Sequence, residues 1–169
     1  MSYIILQLAL TLDGYIARKD GSVDFLDDMG STDFTESFNT FVKNIDTLIM
    51  GRGTYDKMLE YGDIPFKDKK IFVLTSKKLT SKQKNITFTS DPIESVVKKA
   101  NNNIWLFGGS KVIQSFVNLD LIDEMQLYIV PKVIGEGIPL FLENNGLSTL
   151  KLVKHENYNN DVLLVYKRV

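Results

Sequence analysis

Two rhythms of apolar residues alternate along this chain. Short, nearly unbroken runs occupy residues 3–10, 45–50, 70–75, 104–107 and 125–130. Runs of that length, rich in Ile, Leu and Val, fit strands covered on both faces. Between them, apolar residues recur at helical spacing. Phe34, Phe38, Phe41 and Val42 fall at i, i+4, i+7 and i+8, and Val112, Ile113, Phe116 and Val117 form a second stripe. Such stripes bury one face of a helix. Two further helices are expected at 55–61, capped by Thr54, and from Asp91-Pro92-Ile93-Glu94 to about residue 101. The second start combines a cap residue, a first-turn proline and a capping-box glutamate. A short strand is expected at 86–89. At the end, residues 150–158 and 162–167 flank Asn159-Asn160-Asp161, which reads as an antiparallel hairpin with positive dihedrals at the two Asn positions. Residues 19–33 and 131–148 read as loops, the second packed by Leu140 and Phe141. Strand and helix alternate and then strands close the chain. That order predicts a three-layer α/β fold, with a mixed, mostly parallel central sheet, helices on both faces and an antiparallel C-terminal hairpin.

Three of these strands end in glycine or polar residues. Gly51-Arg52-Gly53-Thr54 follows one, Thr75-Ser76-Lys77 another, and Gly108-Gly109-Ser110-Lys111 a third. Right-handed crossovers between parallel strands place their carboxyl ends along one rim. Glycine there permits close backbone approach, and a helix N-terminus offers free N–H groups to an anion. Ser110 is expected to cap its helix. Taken singly, each stretch also fits a plain turn. Taken together, with Arg52, Lys77 and Lys111 as local cations, they suit a dinucleotide's phosphates. The G-x-G-x-x-G spacing of the ordinary dinucleotide site is absent.

Composition removes several alternatives. The chain has 169 residues, net charge −1, no cysteine and one histidine, His155. Its length suits one domain, residues 1–169, with a sizeable core and no need of staples. Near-neutral charge gives no global attraction to nucleic acid. Without cysteine there are no disulfides or thiol nucleophiles, and no metal site is expected. His155 lies in a polar late stretch with no nucleophile elbow near it. The apolar start reads as a core strand, not a leader, and no run approaches membrane-spanning length. The expected compartment is the cytoplasm. Asp24, Asp27, Asp28, Asp33 and Glu36 cluster in sequence without the spacing of a calcium loop; most should be solvated, and one can flank a pocket.

Read in order, several of these stretches resemble one superfamily. They are Ala9, Asp13-Gly14-Tyr15-Ile16-Ala17, Leu48-Ile49-Met50-Gly51-Arg52-Gly53-Thr54-Tyr55, Leu74-Thr75-Ser76, Phe107-Gly108-Gly109-Ser110-Lys111-Val112, Asp123-Glu124 and Gly135-Glu136-Gly137-Ile138-Pro139-Leu140-Phe141. The chain resembles the dihydrofolate reductase-like superfamily, and within it the reductase domain of the riboflavin-biosynthesis deaminase–reductase and its stand-alone relatives. The resemblance implies NADPH as cofactor. It implies Ala9 and Ile16 near the nicotinamide, and Gly51, Arg52, Gly53 and Thr54 at the phosphates. Thr75, Ser76 and Lys77 would lie at the adenosine end. Gly108, Gly109, Ser110, Lys111 and Val112 would wrap the pyrophosphate, with Phe107 beside them in the cofactor contact. Arg52, Ser76 and Lys111 match positions that favour a 2′-phosphate. A cis peptide between Gly108 and Gly109 is implied as well. Two positions depart from the riboflavin branch: Phe107 stands where Glu is usual, and Tyr15 where Lys is common. With no cysteine, the chain cannot build the zinc site of the deaminase half.

The implied activity is reduction of a C=N or C=O bond in a pteridine- or aminopyrimidine-like heterocycle. Hydride comes from the cofactor and the protein supplies a proton. Asp33, Glu36 and Asp13 are the candidate proton donors, because a carboxylic acid in an apolar pocket holds its proton toward neutral pH. A second reading keeps the cofactor cleft without chemistry, as a nucleotide-binding module. The apolar strand 125–130 and the loop after it are expected to support a homodimer, as the riboflavin branch implies.

Overall fold

A computed structural model describes residues 2–100, 102–143 and 146–169. The expected strands form, and their neighbours explain their apolar runs. In chain order the elements are β1 (Tyr3–Thr11), β2 (Tyr15–Ala17), a single 3-10 turn (Asp24–Leu26), α1 (Thr32–Lys43), β3 (Thr47–Gly51), α2 (Arg52–Leu59), β4 (Lys70–Leu74), β5 (Ile86–Thr89), α3 (Ile93–Lys99), β6 (Asn103–Gly108), α4 (Ser110–Asn118), β7 (Glu124–Val130), β8 (Ile138–Pro139), β9 (Leu150–Tyr158) and β10 (Asp161–Arg168). Eight strands make one sheet in the order β5-β4-β3-β6-β1-β7-β10-β9. Neighbours are parallel from β5 through β7, and β10 is antiparallel to both β7 and β9.

Alternation along each central strand feeds two cores. Ile4 and Leu6 of β1, Ile49, Phe72, Ile104 and Leu106 face Val96 of α3 with Ile113 and Phe116 of α4. Ile5, Leu48, Met50, Ile71, Val73 and Trp105 face Phe38, Phe41 and Val42 of α1 with Tyr55 and Met58 of α2. Strands buried on both faces read as near-continuous apolar runs, with Gln7, Thr11 and Thr47 the buried polar exceptions in β1 and β3. The three-layer, mostly parallel α/β architecture is therefore as expected.

Local details differ in instructive ways. Ser31 caps α1 by accepting the Phe34 N–H at 3.2 Å. The expected caps Thr54, Ser110 and Asp91 do not cap. Gly51, Gly109 and Pro92 hold those positions, and none of the three helices has a side-chain cap. Ser110 instead donates its hydroxyl to the Pro139 carbonyl, and Asp91 pairs with Lys99 at 2.6 Å. Residue 101, where the third helix was expected to end, lies outside the described residues, as does Met1. The turn after β1 contains β2, which pairs antiparallel with β8 from the expected loop. Leu140 packs that loop into the core, but Phe141 is exposed. In the hairpin only Asn159 is left-handed, with φ 57, and Asn160 is not. Finally, β7 is paired on both sides, by β1 and β10, so it offers no free edge to a partner. The open edge nearest it is β9, where Leu152 and Val153 are exposed.

Candidate functional site

The order β4-β3-β6 sets three carboxyl ends side by side. Gly51 pairs with Leu74, and Met50 pairs with Gly108. The glycine stretches are thus brought together, and they touch. A Cβ on Gly51 would sit 3.0 Å from Val112 Cγ2, and one on Gly109 would sit 3.3 Å from Thr54 Oγ1. Gly108 has φ 128, and its peptide bond to Gly109 is cis, as the resemblance implies. α2 and α4 both begin on this rim, and neither is capped by a side chain. Their first-turn N–H groups have no partner within the helix.

Around this cradle the cations are local. Arg52 Nε bonds both Asp56 carboxylate oxygens at 2.7 Å, while its Nη1 is buried without a partner among the described residues. Ser76, Lys77 and Lys111 are exposed, and Thr75 shapes their turn by accepting the Lys77 N–H at 3.2 Å. A buried guanidinium nitrogen with nothing to bond is costly unless a ligand supplies an acceptor. A phosphate oxygen has the right chemistry, and guanidinium binds it well. The residues present therefore fit a phosphorylated dinucleotide.

A second loop system leans on the first. Besides the Ser110–Pro139 contact, the Leu140 N–H bonds the Gly14 carbonyl at 3.0 Å. Asp13 accepts the Gly135 N–H at 2.8 Å and the Ile134 N–H at 3.2 Å. Its carboxyl is held below the usual aspartate range, first by the Thr11 hydroxyl and then by those N–H groups. An ionised carboxylate locked in this way anchors a loop and is a poor proton donor at neutral pH. Ile16 packs half-buried against the core that contains Leu140. Ala9 is half-buried beside Tyr128, its register partner on β7.

An aromatic cluster surrounds Phe107, the residue before the double glycine. Trp105 stacks near Phe107 with ring centres 4.6 Å apart, and Phe41, Phe66 and Phe38 surround it at 5.1, 5.6 and 5.8 Å. Its indole N–H donates to the Gln7 carbonyl at 3.0 Å. On α1, Phe34 and Phe38 face this interior, and Asp33 and Glu36 are exposed on the outer side. Neither carboxylate enters the apolar pocket expected for it, because the helical period that buries the Phe stripe turns both away. The structure brings together Gly51, Thr54, Gly108, Gly109 and Val112 on one rim, and it sets Ala9 beside Tyr128. It does not bring Asp13, Asp33 and Glu36 into one pocket.

This geometry agrees with comparison to known proteins. The profile of the RibD C-terminal domain matches residues 64–164, more than half of the chain. The chain belongs to the RibD C-terminal domain family. The matched span includes Thr75–Lys77 and the double glycine, and the Gly51–Thr54 stretch lies just before it. The uncharacterized protein YwjB of Bacillus subtilis (strain 168) is 32% identical over 170 residues, covering 97% of each chain. A candidate riboflavin-biosynthesis protein from Shewanella sp. PV-4 has a solved structure that superposes with a TM-score of 0.84 at 28% identity, covering 99% of both chains. The Thermotoga maritima diaminohydroxyphosphoribosylaminopyrimidine deaminase/5-amino-6-(5-phosphoribosylamino)uracil reductase shares the fold, with a TM-score of 0.75 at 18% identity over 99% of this chain and 57% of that one.

Within this RibD C-terminal domain, two tyrosines pack on the same face of the sheet. Tyr128 is buried beside Ala9, and Tyr158 of β9 lies against it with ring centres 5.9 Å apart. Tyr128 sits in an apolar run and reads as core. Among the described residues no group of three or more His, Cys, Asp or Glu is placed to hold a metal ion. Among them, too, no helix is long and apolar enough to cross a membrane.

Proposed function

We propose that this chain is an NADPH-dependent reductase that adds hydride to a C=N or C=O bond of a small pteridine- or aminopyrimidine-like heterocycle. The observation that carries the reading is the cradle where Gly51 and Gly108-Gly109 meet at two uncapped helix starts, with an unpartnered buried nitrogen of Arg52 beside them. Backbone N–H groups and a guanidinium on one rim suit a pyrophosphate and a 2′-phosphate. Gly108, Gly109, Ser110, Lys111 and Val112 would hold one side of the phosphates, and Gly51, Gly53 and Thr54 the other. Arg52, Ser76 and Lys111 would select the 2′-phosphate, with Thr75 and Lys77 at the adenosine end. Ala9 and Ile16 would flank the nicotinamide, with Phe107 beside the pyrophosphate-binding loop. Bound there, the reduced nicotinamide supplies the hydride. The chain's own residues orient it and keep water from the reacting bond.

The substrate half favours a flat ring without a charged tail. Phe107 replaces a carboxylate with an aromatic surface. The test is an NADPH titration followed by fluorescence. A screen for loss of nicotinamide absorbance against folates, pteridines and aminopyrimidines comes next. Saturable binding, tighter for NADPH than NADH, with oxidation by one substrate class is expected. Binding without any oxidation favours a nucleotide-binding module, which the Phe107 aromatic cluster would also accommodate. No binding overturns both.

A further inference from the structure

The last strands of the sheet are apolar on a face that no helix covers among the described residues. Antiparallel strands with one wet face normally alternate, apolar residues inward and polar residues outward. β10 reads Asp161-Val162-Leu163-Leu164-Val165-Tyr166-Lys167-Arg168 and is apolar on both sides from Val162 to Tyr166. Leu163 and Val165 enter the core that holds Tyr128 and Phe34. Val162, Leu164 and Tyr166 point the other way. Their register partners on β7 are Ile129, Leu127 and Met125. Paired residues share a face, so these are apolar rows across the sheet, and β1 extends them with Leu10, Leu8 and Leu6. On β9 the rows end in Asn157, His155 and Leu152, the last 46% exposed. α4, the helix on this side, lies over β3 and β6. An antiparallel hairpin needs no crossover helix that would carry the cover further. Val162 and Leu164 accordingly join none of the hydrophobic cores. The opposite face of β7, β10 and β9 carries Glu124, Asp161, Lys167, Lys154 and Glu156. The three rows hold no Asp, Glu, Lys or Arg.

We propose that this face is a homodimer interface, on which a second copy of the chain packs the same face of its own β10 about a two-fold axis. Charge, shape and area choose that occupant. Two identical faces without charge meet without repulsion, whereas an acidic or basic partner finds no counter-charge in the rows. Nucleic acid and anionic lipid need Lys or Arg, which the rows lack. Two sheets of the same twist pack face to face at about 10 Å, with their strands near −30°. Four strands about 4.8 Å apart, each five residues of about 3.3 Å, give a flat footprint of about 300 Å² per copy. Ridged side chains expose more than that outline, which places the contact at the low end of specific interfaces and makes the dimer weak and reversible. Pairing through the open edge of β9 is the competing route, and it is guarded. The register of β9 with β10 slips at a bulge opposite Val165 and Tyr166, and Lys151 and Lys154 stand exposed along the strand. The strand 125–130 thus serves the dimer through Leu127 and Ile129 on its face, not through an edge. Dimerisation does not depend on the reductase reading, because the cofactor rim lies at the ends of β3, β4 and β6, away from β10.

The test is sedimentation velocity on the full chain from about 1 to 200 µM, the range in which an interface of this size dissociates. Wild type is compared with Leu164→Glu, Leu152→Glu and Lys151→Glu, each checked for an unchanged fold by circular dichroism and thermal unfolding. Leu164 lies in the middle row. Leu152 is at the exposed end of its row, so its variant decides the matter where the central one fails to fold. Wild type is expected to pass from monomer to dimer with a Kd of about 1–100 µM. Each Leu→Glu variant buries a carboxylate from both copies in the contact and raises that Kd by at least about 100-fold, leaving monomer throughout the range. Lys151→Glu changes the opposite face of β9 and leaves the dimer as it was. Wild type that stays monomeric at the highest concentration overturns the proposal. A dimer that survives both Leu→Glu variants, or one that Lys151→Glu dissolves, overturns it as well.

Discussion

Placing an alanine at Gly51 probes the contact on which the cofactor cradle depends. Its Cβ would lie 3.0 Å from Val112 Cγ2, and the next neighbour, the Gly108 carbonyl oxygen, is 3.9 Å away. Only Val112 must give way. Val112 is β-branched and half-buried on the first turn of α4, so it has few rotamers to move into. Overpacking of this kind costs about 1–3 kcal/mol. Alanine is also a poorer N-cap than glycine, which adds up to about 1 kcal/mol. For a chain of this size each kcal/mol lowers Tm by roughly 2–4 °C, so the Val112 clash alone is worth a drop of about 2–12 °C. The N-cap cost is independent of Val112, and a double-mutant cycle isolates the clash. In a Val112→Ala background the added methyl has nothing to strike, and Gly51→Ala should cost only the N-cap share. Thermal unfolding by circular dichroism, with urea melts to check that m is constant, measures all four corners. If Gly51→Ala costs as much in the Val112→Ala background as in the wild type, the two loops are not in contact as described. The cradle would then have no basis.

Three further outcomes follow from the same geometry. Arg52→Ala should weaken NADPH binding by about 10–100-fold, the loss of a charge-assisted hydrogen bond, and barely change NADH binding; equal losses for both cofactors would remove Arg52 from the 2′-phosphate. Asp13 has a depressed folded-state pKa, so its stabilisation is present above the ordinary aspartate value and disappears as pH falls through the folded one. Asp13→Asn should therefore lower Tm at pH 7, with the gap to wild type closing as pH falls below the ordinary aspartate range and through the folded-state value, and a gap that persists in strong acid would refute the anchor role. Trp105→Ala should cost about 3–5 kcal/mol, because a nearly buried indole loses four ring contacts and its bond to Gln7; chemical denaturation showing less than about 1 kcal/mol would mean the aromatic cluster is not as packed as described.

Much of the sheet was legible because burial on both faces leaves a strand no freedom to be polar. Leu48, Ile49 and Met50 each have a core to enter, so the run announces the strand. The pair β2–β8 was illegible because three- and two-residue strands carry no period; they exist through the Leu140–Gly14 bond and the Ser110–Pro139 contact. The misread caps share that cause. Ser110 has the chemistry of a cap, but a carbonyl 29 positions later takes its hydroxyl. Local rules rank partners within one turn, and the fold supplied a better one.

The two halves of the cleft differ in what writes them. The cofactor half is made by backbone. Its requirement is the absence of side chains where Gly51, Gly108 and Gly109 meet, and an absence shows in any sequence as glycine at a strand end. The aromatic face beside it is made by side chains whose surroundings come from distant strands. Tyr128 gets its neighbours Ala9 and Tyr158 from β1 and β9. Phe107 shows both at once. Its place before the double glycine marked the loop, while its ring packs against Trp105 and Phe66. A carboxylate there would be set against both of those rings. Trp105 is in turn packed by Phe38 and Phe41 of α1. Chemistry at position 107 is thus coupled to the packing of α1 through one continuous run of ring contacts.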